Sequence, residues 1–142
     1  MPPLILASSS PRRLDLLGRL GIQRRGEADD LALVQAIDRA LSQKTVTIDR
    51  FFFDFAGGQR RGPSPADDAY ASGFGEVEAL LAGRAPVATL DHAYWSDAAP
   101  CSMHIDEVEA IWSAIDERDD WQPLYRKVAA IRRMGEALAW PR

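Results

Sequence analysis

Met103-His-Ile-Asp-Glu-Val-Glu-Ala-Ile-Trp-Ser-Ala-Ile-Asp-Glu-Arg-Asp-Asp-Trp-Gln-Pro-Leu-Tyr-Arg-Lys-Val-Ala-Ala-Ile-Arg-Arg-Met-Gly-Glu-Ala-Leu138 is the stretch whose reading decides the fold. Met103, Ile105, Val108, Ile111, Trp112 and Ile115 recur at helical spacing on one broad face. Trp121, Leu124, Val128, Ile131, Met134 and Leu138 repeat the pattern, which stops before Pro141. Glu117-Arg-Asp-Asp120 is a short polar joint between them, so the two helices form an antiparallel hairpin.

Working back from the hairpin, Gly83 to Pro100 shows no sustained period and reads as a long connection anchored by Tyr94 and Trp95. Ser64 or Pro65 opens a helix with the stripe Tyr70, Phe74, Val77 and Leu81, although Gly73 and Gly75 each cost about 1 kcal/mol relative to alanine. Gln59 to Pro65 has loop composition. The aromatic run Phe51-Phe-Phe-Asp-Phe55, closed by Gly57-Gly58, has no polar periodicity. Periodicity does not separate helix from strand there, and the flanking helices favour helix. Lys44 to Ile48 reads as an extended connection. Leu31, Val34, Ile37 and Leu41 mark an amphipathic helix over Glu27–Leu41, with Glu27, Asp29 and Asp30 placed for the macrodipole.

At the N-terminal end, Leu4-Ile-Leu-Ala7 is one short candidate strand, followed by Ser8-Ser-Ser-Pro-Arg-Arg13. Ser10 can cap a helix that has Pro11 at its first position and Gly21 just past its end. Arg12 and Arg13 then sit where the macrodipole is already positive, the wrong sign for a helix and the right sign for an anion site. The fold expected is mostly α, a single helical domain ending in the hairpin with at most one N-terminal strand.

The chain has 142 residues, a formal charge of −4 and one cysteine, Cys101. That length suits one domain, and the charge argues against nucleic acid as a partner. A lone cysteine excludes an internal disulfide framework and suits a reducing cytoplasm. No apolar run nears the roughly 18 residues of a membrane span, and no signal-peptide pattern is visible, so the expected location is cytoplasmic with no membrane partner.

Candidate chemistry is sparse. Asp91, His92, Cys101, His104, Asp106 and Glu107 match no standard zinc spacing and read as surface and capping groups. Asp106, Glu107 and Glu109 fall in a first helical turn, where acids are favoured without any Mg²⁺. A Cys101–His104 nucleophile pair lacks an orienting third residue. Phe51–Phe55, with only Arg50, Arg60 and Arg61 near it, reads as core, or as a sticky aromatic surface for a protein partner if left uncovered.

Two resemblances add to this. Leu6-Ala-Ser-Ser-Ser-Pro-Arg-Arg13 resembles the opening signature of the Maf family of nucleoside triphosphate pyrophosphatases, over residues 4–22. It implies phosphate binding by Ser8, Ser10, Arg12 and Arg13, and a nucleotide or other anion as ligand; the family's later acidic and lysine motifs have no counterpart here. Leu20-Gly-Ile-Gln-Arg-Arg-Gly-Glu-Ala-Asp-Asp30, Phe51-Phe-Phe-Asp-Phe-Ala-Gly-Gly58, Pro100-Cys-Ser-Met-His-Ile-Asp-Glu-Val-Glu-Ala-Ile-Trp112 and Asp119-Asp-Trp121 are similar to the C-terminal region of the selenoprotein O (SelO) family, over about residues 20–142. SelO proteins are pseudokinase-fold AMP transferases that use ATP and Mg²⁺. Their nucleotide and metal residues belong to a kinase-like part preceding the matched region, so the resemblance implies a kinase-like partner and assigns no catalytic residue here. The two resemblances meet at Leu20-Gly21-Ile22, and the organisation expected is a Maf-like segment, 1–22, joined to a SelO-like helical region, 23–142. The function expected is a non-catalytic accessory or interaction module, the alternative being a Maf-like nucleotide-binding protein or pyrophosphatase.

Overall fold

The computed structural model describes residues 11–140, with side chains from Asp15 onward. In chain order the α-helices are α1 (Pro11–Arg19), α2 (Glu27–Leu41), α3 (Ile48–Asp54), α4 (Asp67–Gly73), α5 (Gly75–Leu81), α6 (Ile105–Arg118) and α7 (Gln122–Ala137), with a 3₁₀ turn at Ala93–Ser96 before α6. The β structure among the described residues is a single antiparallel bridge between Ile22 and Pro86. The candidate strand Leu4–Ala7 lies outside the described residues.

α1 stops as the sequence predicts. Gly21 takes φ +75, Ile22 N–H donates to Leu17 O at 3.3 Å and Gly21 N–H to Gly18 O at 3.1 Å, the paired bonds of a Schellman ending. The same glycine is a crossing point. Val87 N–H donates to Gly21 O at 2.7 Å as the long connection passes, and a Cβ on Gly21 would lie 2.5 Å from the Ala88 Cβ and 3.3 Å from the Trp140 ring. Gly57 N–H donates to Leu20 O at 2.8 Å, so the Gly57-Gly58 turn docks on the same corner.

Two apolar clusters hold the domain together. In the first, Leu17, Leu20 and Ile22 meet Leu33, Val34 and Ile37 of α2, Phe51 and Phe55 of α3, Tyr70, Phe74, Val77 and Leu81. The residues on either side of position 22 therefore share one core. In the second, Phe53 and Ala56 meet Tyr94, Trp95, Ala137 and Trp140. α3 lies between the clusters, sending Phe51 and Phe55 one way and Phe53 the other, which is why the run carries no polar period. Its helical reading holds, and Thr47 caps it by accepting from Arg50 N–H at 3.2 Å. Ile48 is the first residue of that helix rather than the end of an extended connection, and Lys44 turns the chain with φ 58.

The helix expected from Ser64 or Pro65 through Leu81 is two helices. Phe74 leaves helical geometry at φ −120, serving as the last residue of α4 and the cap of α5. Glycine on both sides makes the break cheap, and the buried Phe74 ring gains stacking on Phe51 at 5.8 Å and an edge contact with Tyr70 at 5.1 Å. Gly73 is also closely approached, a Cβ there falling 2.9 Å from the Gln43 amide oxygen. The buried face of α2 is Asp30, Leu33, Val34, Ala36, Ile37 and Ala40, with Leu31 and Leu41 at its margin. The hairpin forms as read. Asp119 adopts left-handed φ 50 at the end of α6 and accepts from Trp121 Nε1–H at 2.9 Å, and Asp120 accepts from Gln122 N–H at 3.1 Å.

Candidate functional site

Three places hold enough chemistry to be weighed as sites: a cleft beside the glycine turns, two buried polar hubs, and the outer face of the hairpin.

The cleft, of about 480 Å³, is lined by Gly57, Gly58, Gln59, Arg60, Glu78, Gly83, Arg84 and neighbouring apolar groups. Its charges are already matched. Arg60 spans Asp67 at 3.0 Å and Glu78 at 2.9 Å, and Arg84 turns inward to Asp30. A pocket whose cations are paired in this way offers little to an anion.

Asp30 and Asp54 are the hubs. The Asp30 carboxylate, fully buried, accepts from Arg24 Nε at 2.5 Å, from the Arg25 backbone N–H at 3.0 Å and from Arg84 Nη1 at 2.7 Å. Burial alone raises its pKa, but these donors outweigh burial and bring it down to about 2. Asp54, 3% exposed, accepts from Tyr70 Oη at 2.7 Å and Ser64 Oγ at 2.6 Å, with Arg50 at 3.4 Å. Burial, reinforced by that hydrogen bond, pushes the Tyr70 hydroxyl well above the ordinary phenol range. Both hubs are closed, and their work is to fix α2 against the loop before α5, and α3 against α4. Sequence reading assigned Asp30 only to the macrodipole. The available signal was a carboxylate recurring in phase with Leu33, Val34 and Ile37 just after Arg24-Arg25.

The remaining arginines near the aromatic run lie on the rings. Arg61 sits 5.0 Å over Phe53 and 5.1 Å over Trp95, burial pushing its pKa down, and Arg60 lies 5.7 Å over Tyr70. Phe51, Phe53 and Phe55 are buried, so the partner surface expected at this cluster is not there. The reason is that the two-sided position of α3 consumes it.

The groups weighed as metal ligands or nucleophiles have other partners. His92 Nδ1 accepts from Tyr94 N–H at 3.0 Å, capping the 3₁₀ turn, and His104 Nε2 lies 3.9 Å from Asp49. Cys101 N–H donates to Tyr94 Oη at 3.0 Å. Glu107 is bound by Lys127 and by Ser102 Oγ at 3.3 Å; the Lys127 hydrogen bond holds its carboxyl below the usual range. Asp106 accepts from the next backbone N–H at 3.0 Å. Among the described residues no three His, Cys, Asp or Glu side chains converge as a metal ion requires, so the donors present do not fit Mg²⁺ or its ATP complex. Of the phosphate-binding candidates, Ser8 and Ser10 lie outside the described residues, while Arg12 and Arg13 fall in the first turn of α1.

The hairpin face is different in kind. Ile105 is 72% exposed, Trp112 65%, Tyr125 58% and Trp121 43%, with Val108 and Met103 also exposed. α6 is closed onto α7 through Ala114, Ile111 and Ile115, which leaves the other part of its broad apolar face uncovered. The stripe was legible in the sequence as apolar spacing; its exposure was not. The hairpin is fastened to the rest of the chain along α7, where Ala137 joins the second cluster and Arg133 forms a fork with Asp97 at 2.5 and 3.2 Å. Exposed large apolar residues in register on a helix pair mark a surface built for contact.

No helix among the described residues is long and apolar enough to cross a membrane. No protein-family model, curated protein or solved structure matches this chain.

Proposed function

We propose that this chain is a non-catalytic helical accessory or interaction module that binds protein through the outer face of the α6–α7 hairpin. The observation that carries this reading is the contrast in burial: Phe51, Phe55, Tyr70 and Phe74 are wholly enclosed, whereas Ile105, Trp112, Trp121 and Tyr125 are left in water. Leaving such side chains exposed forgoes roughly 1.5–3 kcal/mol each, which a partner recovers on docking. The similarity of residues 20–142 to the C-terminal region of SelO proteins supports an accessory role beside a kinase-like part.

The second element of the reading is an anion-binding corner at Ser8, Ser10, Arg12 and Arg13. Its support is the Maf-like signature, together with a helix that opens at Pro11 and carries both arginines in its first turn.

The test is titration calorimetry with nucleoside triphosphates and Mg²⁺, paired with assays of nucleotide hydrolysis and AMP transfer. The module reading expects no turnover in either assay. Hydrolysis or transfer that is lost on Arg12→Ala overturns it in favour of a Maf-like pyrophosphatase or a transferase, and heats that vanish on Arg12→Ala without turnover identify the corner as a binding site alone.

A further inference from the structure

The two exposed stripes of the hairpin share a spacing and carry opposite charge. On α6 the stripe is Ile105, Glu109, Trp112 and Asp116; on α7 and its cap it is Trp121, Tyr125, Val128 and Arg132, each set stepping four, three and four residues along one helix face. Val108 widens the first stripe and Arg126 flanks the second, both exposed. Among the described residues Glu109, Asp116, Arg126 and Arg132 take part in none of the ion pairs within the chain, whereas Glu107 and Arg133, on the inward sides, are bound to Lys127 and Asp97. The charges left over are therefore acidic beside the apolar stripe of α6 and basic beside that of α7.

A surface of this kind asks for an amphipathic helix with apolar residues at heptad spacing and basic flanks. α7 of the same molecule is such a helix, and its matching stripe is exposed. We propose that the hairpin face pairs with a second copy of this chain, α6 of each copy lying against α7 of the other. The arrangement is isologous, so one contact made twice satisfies both stripes: Glu109 and Asp116 meet Arg126 and Arg132 of the other copy, and Trp112 enters between Trp121 and Tyr125. The helices are about 21 and 24 Å long, which gives a contact at the small end of stable interfaces, weak and sensitive to salt. This inference rests on the interaction-module reading and names its partner.

Sedimentation of the whole chain over a range of concentrations, at low and high salt, tests it. A monomer–dimer equilibrium is expected, weakened by salt, and weakened at least about tenfold by Trp112→Glu. A pair of charge-reversed chains gives the decisive arm, one carrying Glu109→Arg with Asp116→Arg, the other Arg126→Glu with Arg132→Glu. Each alone should be monomeric, and their mixture should restore a heterodimer; all four positions are exposed, and helix content by circular dichroism checks each fold. A wild-type chain that stays monomeric, a dimer indifferent to Trp112→Glu, or a mixture that does not associate overturns the proposal. If the monomer still binds an apolar dye in a Trp112-dependent way, the second copy is excluded as occupant while the module reading stands. Nucleotide turnover by a dimer would overturn the module reading and leave the pairing intact.

Discussion

The first core and the C-terminal hairpin use the same kinds of residue for opposite ends. In the core, Phe51 stacks on Phe55 at 4.8 Å and Phe55 meets the edge of Tyr70 at 5.1 Å, every ring enclosed by α2, α3, α4 and α5. In the hairpin, Trp112, Trp121 and Tyr125 stand on helices no less regular, with water on one side. The difference lies in neighbours. α3 is short and has helices or the Trp95 turn on both flanks, whereas α6 has one neighbour, α7, and so can bury only one side. Aromatic content therefore measures the capacity to bury surface, and topology decides whether the burial happens within the chain or against another.

The sharpest way to break this contrast is to empty a core ring. Phe55→Ala should cost about 3–5 kcal/mol in urea unfolding, and a loss near that of an exposed aromatic would contradict the enclosure described. Next in size, Gly21→Ala forces a side chain into a left-handed conformation and against Ala88 and Trp140, for about 3 kcal/mol. Thermal denaturation should register it as a fall in midpoint larger than that of Gly26→Ala, where a Cβ meets nothing.

The acid limb of stability reports on Asp30. Its native pKa, about 2, lies below the unfolded value, so its contribution is fully present above the unfolded carboxylate range and is lost as pH falls towards 2. About 2 kcal/mol should disappear over that interval. Asp30→Asn, although less stable throughout, should flatten this part of the profile; a slope unchanged by the substitution would remove Asp30 from the account. The smallest effect belongs to the hairpin. Trp112→Ser should alter unfolding free energy of the monomer by no more than about 0.5 kcal/mol while reducing the binding of an apolar dye. A large loss of stability there would mean that the stripe packs inside the chain after all.

Legibility in the sequence followed how many partners each element has. α2 and the hairpin helices carry one apolar side against one neighbouring layer, so period and caps were enough: Glu27 to Leu41 and the Asp119-Asp120 joint fall where spacing placed them. α3 has two buried sides, which erases periodicity, and its helical state had to be inferred from its surroundings. The break at Phe74 was signalled by Gly73 and Gly75, but its cause is the direction of the Phe51 ring, which no local pattern contains. Asp30 looked like an ordinary first-turn acid because its main partner, Arg84, is remote in sequence.

Of the candidate site, the sequence supplied the residues and the structure supplied their status. Composition and spacing by themselves determined a mostly α chain, its helix starts and stops at Pro11, Gly21 and Asp119, and the apolar stripes of α6 and α7, because these depend on backbone propensity and on neighbours within a few turns. Only the tertiary structure decided that Phe51–Phe55 is sealed, that Arg61 lies between Phe53 and Trp95, and that Trp112 and Tyr125 face water. Burial is a property of what stands opposite a side chain, and what stands opposite is set by contacts remote along the chain.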